Sequence, residues 1–127
     1  MKAMIILAAA LSLSACATAS LDARPIRTDG LARLNEATRV GAFVVTPRAV
    51  IEDSRCPINA RCIWAGRLRL QADISINGGS EELRSILTLG EPAEVPGGRL
   101  TLVSAEPGKM AGSPPSPPAS LFGFEAR

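Results

Sequence analysis

Apolar and polar residues alternate along the middle of the chain, between residues 64 and 76. The apolar ones stand at even positions, Trp64, Leu68, Leu70, Ala72, Ile74 and Ile76, and the polar ones at odd positions, Arg67, Arg69, Gln71, Asp73 and Ser75. Successive side chains of a β-strand point to opposite faces of the sheet. The pattern therefore predicts a strand with one face buried and the other in water, as in an antiparallel sheet.

Strands are also predicted in the segment before this one. A branched, apolar run over 40–46 is stopped by Pro47 and continues over 49–51 after the break. The segment 31–38 is ambiguous, because Leu31 and Leu34 are three residues apart. That spacing fits one helical turn, and a short edge strand fits the same residues.

A hairpin is predicted directly after the alternating strand. Asn77-Gly78-Gly79 predicts a tight turn, since Asn and Gly accept positive φ, and the run 83–89 returns to pair with 68–76. Pro96-Gly97-Gly98 predicts another turn, which is followed by a strand over 100–103. A last strand is predicted over 121–124, close to the end of the chain.

Five to seven short strands separated by turns predict an all-β domain, a small antiparallel β-sandwich or a partly open barrel. This β domain is predicted over 31–127. Residues 107–119, PGKMAGSPPSPPA, form a proline-rich loop that cannot pair as a strand. Its PPSPP run is interpreted as a spacer, with a docking segment for a partner as the alternative.

The first residues have the order of a secretory signal peptide. Lys2 supplies the positive charge, an apolar run follows from Met4, and small residues end the segment at Ala15. The run is much shorter than the roughly 20 residues that span a bilayer as a helix. A cleaved signal peptide is therefore predicted over 1–15, followed by a flexible tether that extends to residue 30.

The cleavage region Leu13-Ser14-Ala15-Cys16 resembles the bacterial lipobox. The resemblance implies diacylglycerol on the Cys16 sulfur, cleavage before Cys16, and usually a further acyl chain such as palmitate on the new amino group. Ordinary cleavage at Ala15-Cys-Ala17 or Ala17-Thr-Ala19 is the alternative. In a Gram-negative cell, Ala17 after the lipidated cysteine implies delivery to the outer membrane, on its periplasmic face.

Three cysteines leave one thiol over if two of them pair in an oxidising compartment. If Cys16 is lipidated, Cys56 and Cys62 remain, and the short spacing lets a compact loop bring their sulfurs together. A redox role is the alternative, but dithiol oxidoreductases favour C-x-x-C at a helix N-terminus. Metal binding is a less favoured alternative than a redox role, because two cysteines without histidine do not make a zinc site.

The segment 53–66 has the pattern D-x-R-C-P-x4-C-x-W-A-G. This pattern resembles a set of small bacterial lipoproteins and secreted proteins of uncharacterised function, which have the same layout of lipobox, tether, strands and cysteine loop. The resemblance is specific over 53–66 and loose elsewhere. It implies fold and location, and it carries no catalytic residue to this chain.

Composition argues against an enzyme. The chain has no histidine and no tyrosine, which removes the usual general base, the usual zinc ligand and every Ser-His or Cys-His pair. No catalytic residue, metal site or cofactor is predicted. Without Lys2 the charges are thirteen basic and twelve acidic, a balance that gives no field for steering nucleic acid.

The sequence favours two functional hypotheses over a third. The first is a non-enzymatic lipoprotein of the envelope, anchored in the lipid bilayer through Cys16, with an envelope protein as a further partner and no identifiable small-molecule ligand. The second is an inhibitor-like binding module whose surface comprises Arg55, Arg61, Trp64 and Arg67. With Arg69, these arginines form an anion-binding patch or a mixed face neutralised by the neighbouring acids Glu52, Asp53 and Asp73. A redox or carboxylate enzyme is third.

Overall fold

The structure, a computed structural model, describes residues 24–112, 114 and 117–127. Within these residues there are eight strands and no helix, which confirms the all-β prediction. The strands are β1 (Leu31–Arg33), β2 (Thr38–Val40), β3 (Phe43–Asp53), β4 (Leu68–Ile76), β5 (Glu82–Thr88), β6 (Pro92–Val95), β7 (Gly98–Glu106) and β8 (Leu121–Ala126). The predicted signal peptide, Cys16 and the start of the tether lie outside the described residues.

The described strands form two four-stranded sheets whose neighbouring strands are all antiparallel. Sheet A has the order β2-β3-β4-β5, and sheet B has the order β1-β8-β7-β6. One apolar cluster draws buried side chains from both sheets. The fold is therefore a small sandwich whose sheets do not close into a barrel.

The core lies between the two sheets and is built on the alternation in β4. Leu68, Leu70 and Ala72 are fully buried at even positions, as predicted. The same cluster includes the large side chains of sheet B that are fully buried: Leu100, Leu102 and Phe122. Each buried leucine or phenylalanine stabilises the fold by roughly 1.5–3 kcal/mol, so this layer holds the sheets together.

The prediction that Trp64 belongs to the buried face of the strand is wrong. β4 begins at Leu68, and Trp64 is 81% exposed. The ladder between β3 and β4 starts with the pair Asp53 and Leu68. The residues between them form a loop that turns back at Gly66, whose φ is +67°.

The prediction that the odd-numbered side chains of β4 lie in water is also wrong for Asp73 and Ser75, which are buried. Arg84 stands directly opposite Asp73 on β5, and its Nε donates to the carboxylate at 2.8 Å. Arg48 is the extra residue at a bulge in β3, and its Nε donates to the other oxygen at 2.7 Å. Long arginine side chains cover apolar and polar surface beneath them, so Asp73 is withdrawn from water while it stays paired.

Pro47 does not stop the strand, contrary to the prediction, because β3 runs through it to Asp53. Proline lacks an N–H and is tolerated in a sheet where no ladder bond is needed on that side. β2 pairs with β3 only as far as Val45, which leaves one side of Pro47 without a strand neighbour. The bulge at Arg48 follows directly.

The ambiguous segment 31–38 contains β1 at the edge of sheet B, so the edge-strand alternative is confirmed. The chain already contacts the two sheets before β1 begins. The Arg27 N–H donates to Ala37 O at 3.0 Å, and the Gly30 carbonyl accepts from Phe124 at 2.9 Å. Any tether therefore ends before Arg27.

The predicted hairpin between β4 and β5 is confirmed. Asn77 and Gly78 both have positive φ, at 52° and 69°, and the Gly79 N–H donates to Ile76 O at 2.9 Å. These are the features of a type I′ turn. The turn before Gly98 and the strand at 121–124 are also confirmed. The sequence analysis did not predict β6, because this strand has only four residues and begins with proline.

We expect Asp73→Asn to lower the free energy of unfolding by about 2 kcal/mol, because a neutral amide replaces an ion paired with two guanidinium groups. The hydrogen bond from Arg84, followed by that from Arg48, lowers the pKa of Asp73 in the folded protein. The contribution of Asp73 is therefore present above the unfolded pKa of roughly 3.9 and is lost as pH falls through the lower folded value. Urea titrations at neutral and acidic pH measure both effects.

Glu94→Gln is the matched control, since its carboxylate pairs with Arg99 in solvent. It should change stability by less than about 1 kcal/mol. An equal loss in both variants at neutral pH would contradict the role assigned to Asp73.

Candidate functional site: the cysteine loop

The cysteine loop, residues 54–67, connects β3 to β4 at one end of the sandwich. Cys56 and Cys62 form a disulfide inside it, with their Cα atoms 5.9 Å apart. The predicted pairing is therefore confirmed. A loop this short constrains the unfolded chain by about 2 kcal/mol in the chain-entropy account.

The base of the loop continues the antiparallel pairing of β3 with β4. The Ser54 N–H donates to Arg67 O at 2.8 Å, and the Cys56 N–H donates to Ala65 O at 3.0 Å. Ser54 Oγ also accepts from the Arg67 N–H at 3.1 Å. Gly66 sits where a Cβ atom would collide with the Ser54 carbonyl, so only glycine fits both this space and its positive φ.

A second segment braces the loop from the side. The Ile58 N–H donates to Lys109 O at 2.9 Å. The Asn59 amide makes two bonds with Ala111, donating to its carbonyl at 2.9 Å and accepting from its N–H at 2.7 Å. The beginning of the proline-rich loop is therefore docked against the cysteine loop, although it forms no strand in its described residues.

Arg55 is committed to holding the loop rather than to a free surface. Its guanidinium makes two bonds to the Asp53 carboxylate, at 2.8 and 3.0 Å, and a third to Ala105 O at 3.2 Å. The side chain is only 15% exposed. The hydrogen bond from Arg55 is also the main reason that the pKa of Asp53 lies below its ordinary value.

The other arginines near the loop differ in whether they form an ion pair. Arg67 pairs with Glu52 at 2.9 Å, and Arg69 approaches the same carboxylate at 3.9 Å. Arg61 is exposed and has no ion pair within the part of the chain that the structure describes. The predicted binding residues are thus divided, with Arg61 and Trp64 projecting outward and Arg55 and Arg67 tied to acids.

The outer part of the loop exposes large apolar side chains. Ile58 is 77% exposed, Ile63 is 94% exposed and Trp64 is 81% exposed. We call these three residues the apolar tip. Trp64 buries little of its surface, and therefore little against the disulfide. The sequence analysis did not single out Ile58 or Ile63. It assigned Trp64 both to the buried face of the strand and to the predicted binding surface, and the exposure of Trp64 agrees with the second assignment.

An open cleft of about 270 Å³ lies at the opposite end of the sandwich. It is lined by residues that include Ile76, Leu83, Val95 and the adjacent Glu81 and Glu82. The cleft is shallow and apolar apart from the two glutamates. Nothing in the described residues brings a further charged or nucleophilic group to it.

Among the described residues, no three of His, Cys, Asp and Glu converge as metal ligands. The carboxylates in this part of the chain whose pKa departs from the ordinary value all have it lowered: Asp29 to about 2 by its bond from Arg27, Asp53 by Arg55 and Asp73 by Arg84. In the same residues, no helix has the length and apolar character needed to cross a membrane.

We expect Gly66→Ala to destabilise the protein by about 1–3 kcal/mol, because alanine is strained at positive φ and its Cβ would displace the Ser54 carbonyl. Gly108→Ala is the control, since its Cβ would enter open space in the bracing segment. Urea denaturation of the oxidised proteins measures both. Equal midpoints for the two variants would show that the loop base tolerates a different backbone.

Comparisons with known proteins returned no match of this chain to any protein family, curated protein or solved structure.

Proposed function

We propose that this chain is an exported bacterial lipoprotein, held at the periplasmic face of the outer membrane by acyl chains on Cys16. Its β-sandwich then serves as a non-enzymatic accessory or binding module of the envelope. The observation that carries the proposal is the lipobox-like sequence 13–16 directly after a short apolar segment. Two or more acyl chains anchor a protein stably, whereas one holds only marginally.

The disulfide supports export. Cys56 and Cys62 pair with each other, and structural disulfides persist in oxidising compartments such as the periplasm. With those two sulfurs joined, Cys16 is the one cysteine left over in the sequence. Lipidation of Cys16 gives that thiol a role and leaves no reactive sulfur in the mature chain.

The paired carboxylates support a non-enzymatic role. General acids need a raised pKa and general bases one near the working pH, whereas Asp53 and Asp73 are held as stable anions by arginine. The absence of histidine from the sequence points the same way. Both observations support a role in binding rather than in turnover.

The geometry favours the cysteine loop as the contact surface of this module. It is closed by a disulfide, braced by Asn59, and it presents the apolar tip to solvent. Exposed aromatic and aliphatic side chains on a rigid support are typical of binding surfaces. The exposure and rigidity of the loop support this second part of the proposal.

Intact mass of the protein purified from its native membrane tests the proposal. We expect a mass equal to residues 16–127 plus acyl groups, and two thiols that react with an alkylating reagent only after reduction. A soluble species cut at Ala17 or Ala19 would contradict the anchor. Two thiols that react without reductant would contradict the disulfide.

Two variants separate these outcomes. Cys16→Ala should abolish acylation and leave the disulfide intact, while the double variant Cys56→Ser, Cys62→Ser should keep the acyl groups. Membrane fractionation of both variants shows whether association with the membrane follows Cys16 alone. Association that persists in Cys16→Ala after signal-peptide removal would point to an anchor other than the acyl chains.

A further inference from the structure

We propose that the apolar tip is a second membrane contact, which inserts Ile58, Ile63 and Trp64 into the interfacial region of the bilayer that holds the lipid anchor. The inference rests on the proposed function, because it takes the acylated Cys16 to keep the domain at a membrane. It adds a defined orientation, with the cysteine-loop end of the sandwich facing the lipid. The occupant of the tip is thus the phospholipid headgroup layer.

The exposure of the tip is the first argument. Its three side chains are 77%, 94% and 81% exposed, so they contribute little to the core. They lie within seven residues of one another, with Ile58 inside the ring closed by the disulfide and Ile63 and Trp64 just after Cys62, where the Cys56 N–H bonds to Ala65 O. Trp with aliphatic neighbours is the composition that proteins place at the boundary between headgroups and acyl chains.

The charge of this end is the second argument. Between Cys56 and Gly66 the sole charged residue is Arg61, and between Pro107 and Gly112 it is Lys109. Neither segment contains an acid. Of the acids that flank them, Glu52 and Asp53 are paired with Arg67 and Arg55, and Glu106 is exposed. Lys109 donates from Nζ to the Asp53 carbonyl at 3.0 Å, which places its ammonium group next to the loop. Cations beside an apolar surface suit lipid phosphates, and in particular anionic headgroups.

Rigidity is the third argument. The bonds from Ser54, Cys56 and Asn59 hold the loop in one backbone arrangement. A preformed loop loses little conformational freedom when it binds. A tip of three side chains is small for a stable protein interface, but it suffices when an anchor keeps the local concentration of the membrane high.

The length of chain before the domain permits both contacts. Arg27 bridges Thr38, which lies level with Ile74 across β3. From Ile74 to Leu68 at the base of the loop the distance along β4 is about 20 Å. The eleven residues from Cys16 to Arg27 span up to about 40 Å when extended. This leaves about 20 Å for the height of the loop above Leu68, so one bilayer can hold the acyl chains and touch the tip.

The test uses Trp64 as its own probe, because it is the one tryptophan of the chain, which has no tyrosine. The lipidated protein is reconstituted into vesicles of phosphatidylethanolamine and phosphatidylglycerol, and Trp64 emission is recorded with brominated lipids and with aqueous iodide. We expect emission shifted to the blue, quenching by bromine near the headgroups and protection from iodide. Vesicle-bound protein whose Trp64 emits as in water and is quenched by iodide would overturn the proposal and leave the anchor intact.

A variant pair tests whether the tip itself drives insertion. The double variant Ile58→Ser, Ile63→Ser keeps the probe and removes surface that the fold does not bury, so the protein should fold normally. We expect the ratio of inserted to uninserted Trp64 to fall at least about tenfold. Ile86→Ser, on the outer face of β5, is the control and should leave the signal unchanged; equal signals in both variants would overturn the proposal.

Other occupants give different signals. A blue shift without lipid that grows with protein concentration would assign the tip to a second copy of the chain. A shift that requires added membrane proteins, with no response to lipid alone, would assign it to a protein partner. Either result overturns the membrane contact. If the purified chain carries no acyl groups, the proposed function fails. The soluble protein is then held on the same vesicles by an N-terminal histidine tag and a nickel-chelating lipid, so that the Trp64 signal still decides the inference.

Discussion

The burial of one face of each sheet against the other is the constraint on which the structure depends. Leu68, Leu70 and Leu87 from sheet A meet Leu100 and Phe122 from sheet B in one apolar cluster. A domain of about 100 residues buries a smaller fraction of its surface than a larger one, so this layer leaves little stability to spare. The connections at the ends of the sandwich are accordingly stabilised by their own contacts, above all in the cysteine loop.

Arginine–carboxylate pairs organise the surface around that core. Asp73 is shielded on the outer face of sheet A by two guanidinium groups, one from a neighbouring strand and one from a bulge. At the loop end, Asp53 is bound by Arg55, whose third bond reaches Ala105 of sheet B. The pairs of Asp73 therefore reinforce strands that the backbone ladders already join, and Arg55 adds a bond between the loop end of sheet A and sheet B.

The sequence predicts what depends on neighbours along the chain. The alternation over 67–76 predicted β4, Asn77 and Gly78 predicted the hairpin turn, and the proximity of Cys56 to Cys62 predicted their pairing. The failures involve distant partners. The alternation predicts a solvated Asp73, because it does not show that Arg48, 25 residues away in the sequence, covers the carboxylate in the fold. The sequence around Asn59 did not predict that its side chain braces the loop, because its partner Ala111 lies 52 residues further along the chain. Trp64 was misplaced because an even position does not reveal where a strand begins.

The cysteine loop combines strong local restraint with little burial, and this combination needs an explanation outside the core. A disulfide, a glycine at positive φ and a side-chain amide that imitates a backbone pairing all act on one connection. The disulfide and Gly66 stabilise the connection of β3 to β4, but the exposed apolar side chains of the tip add nothing to the stability of the fold. Restraint of an exposed apolar surface lowers the entropy lost on contact with something else. We therefore propose that the loop does two things, stabilising the connection between β3 and β4 and presenting a preformed contact surface.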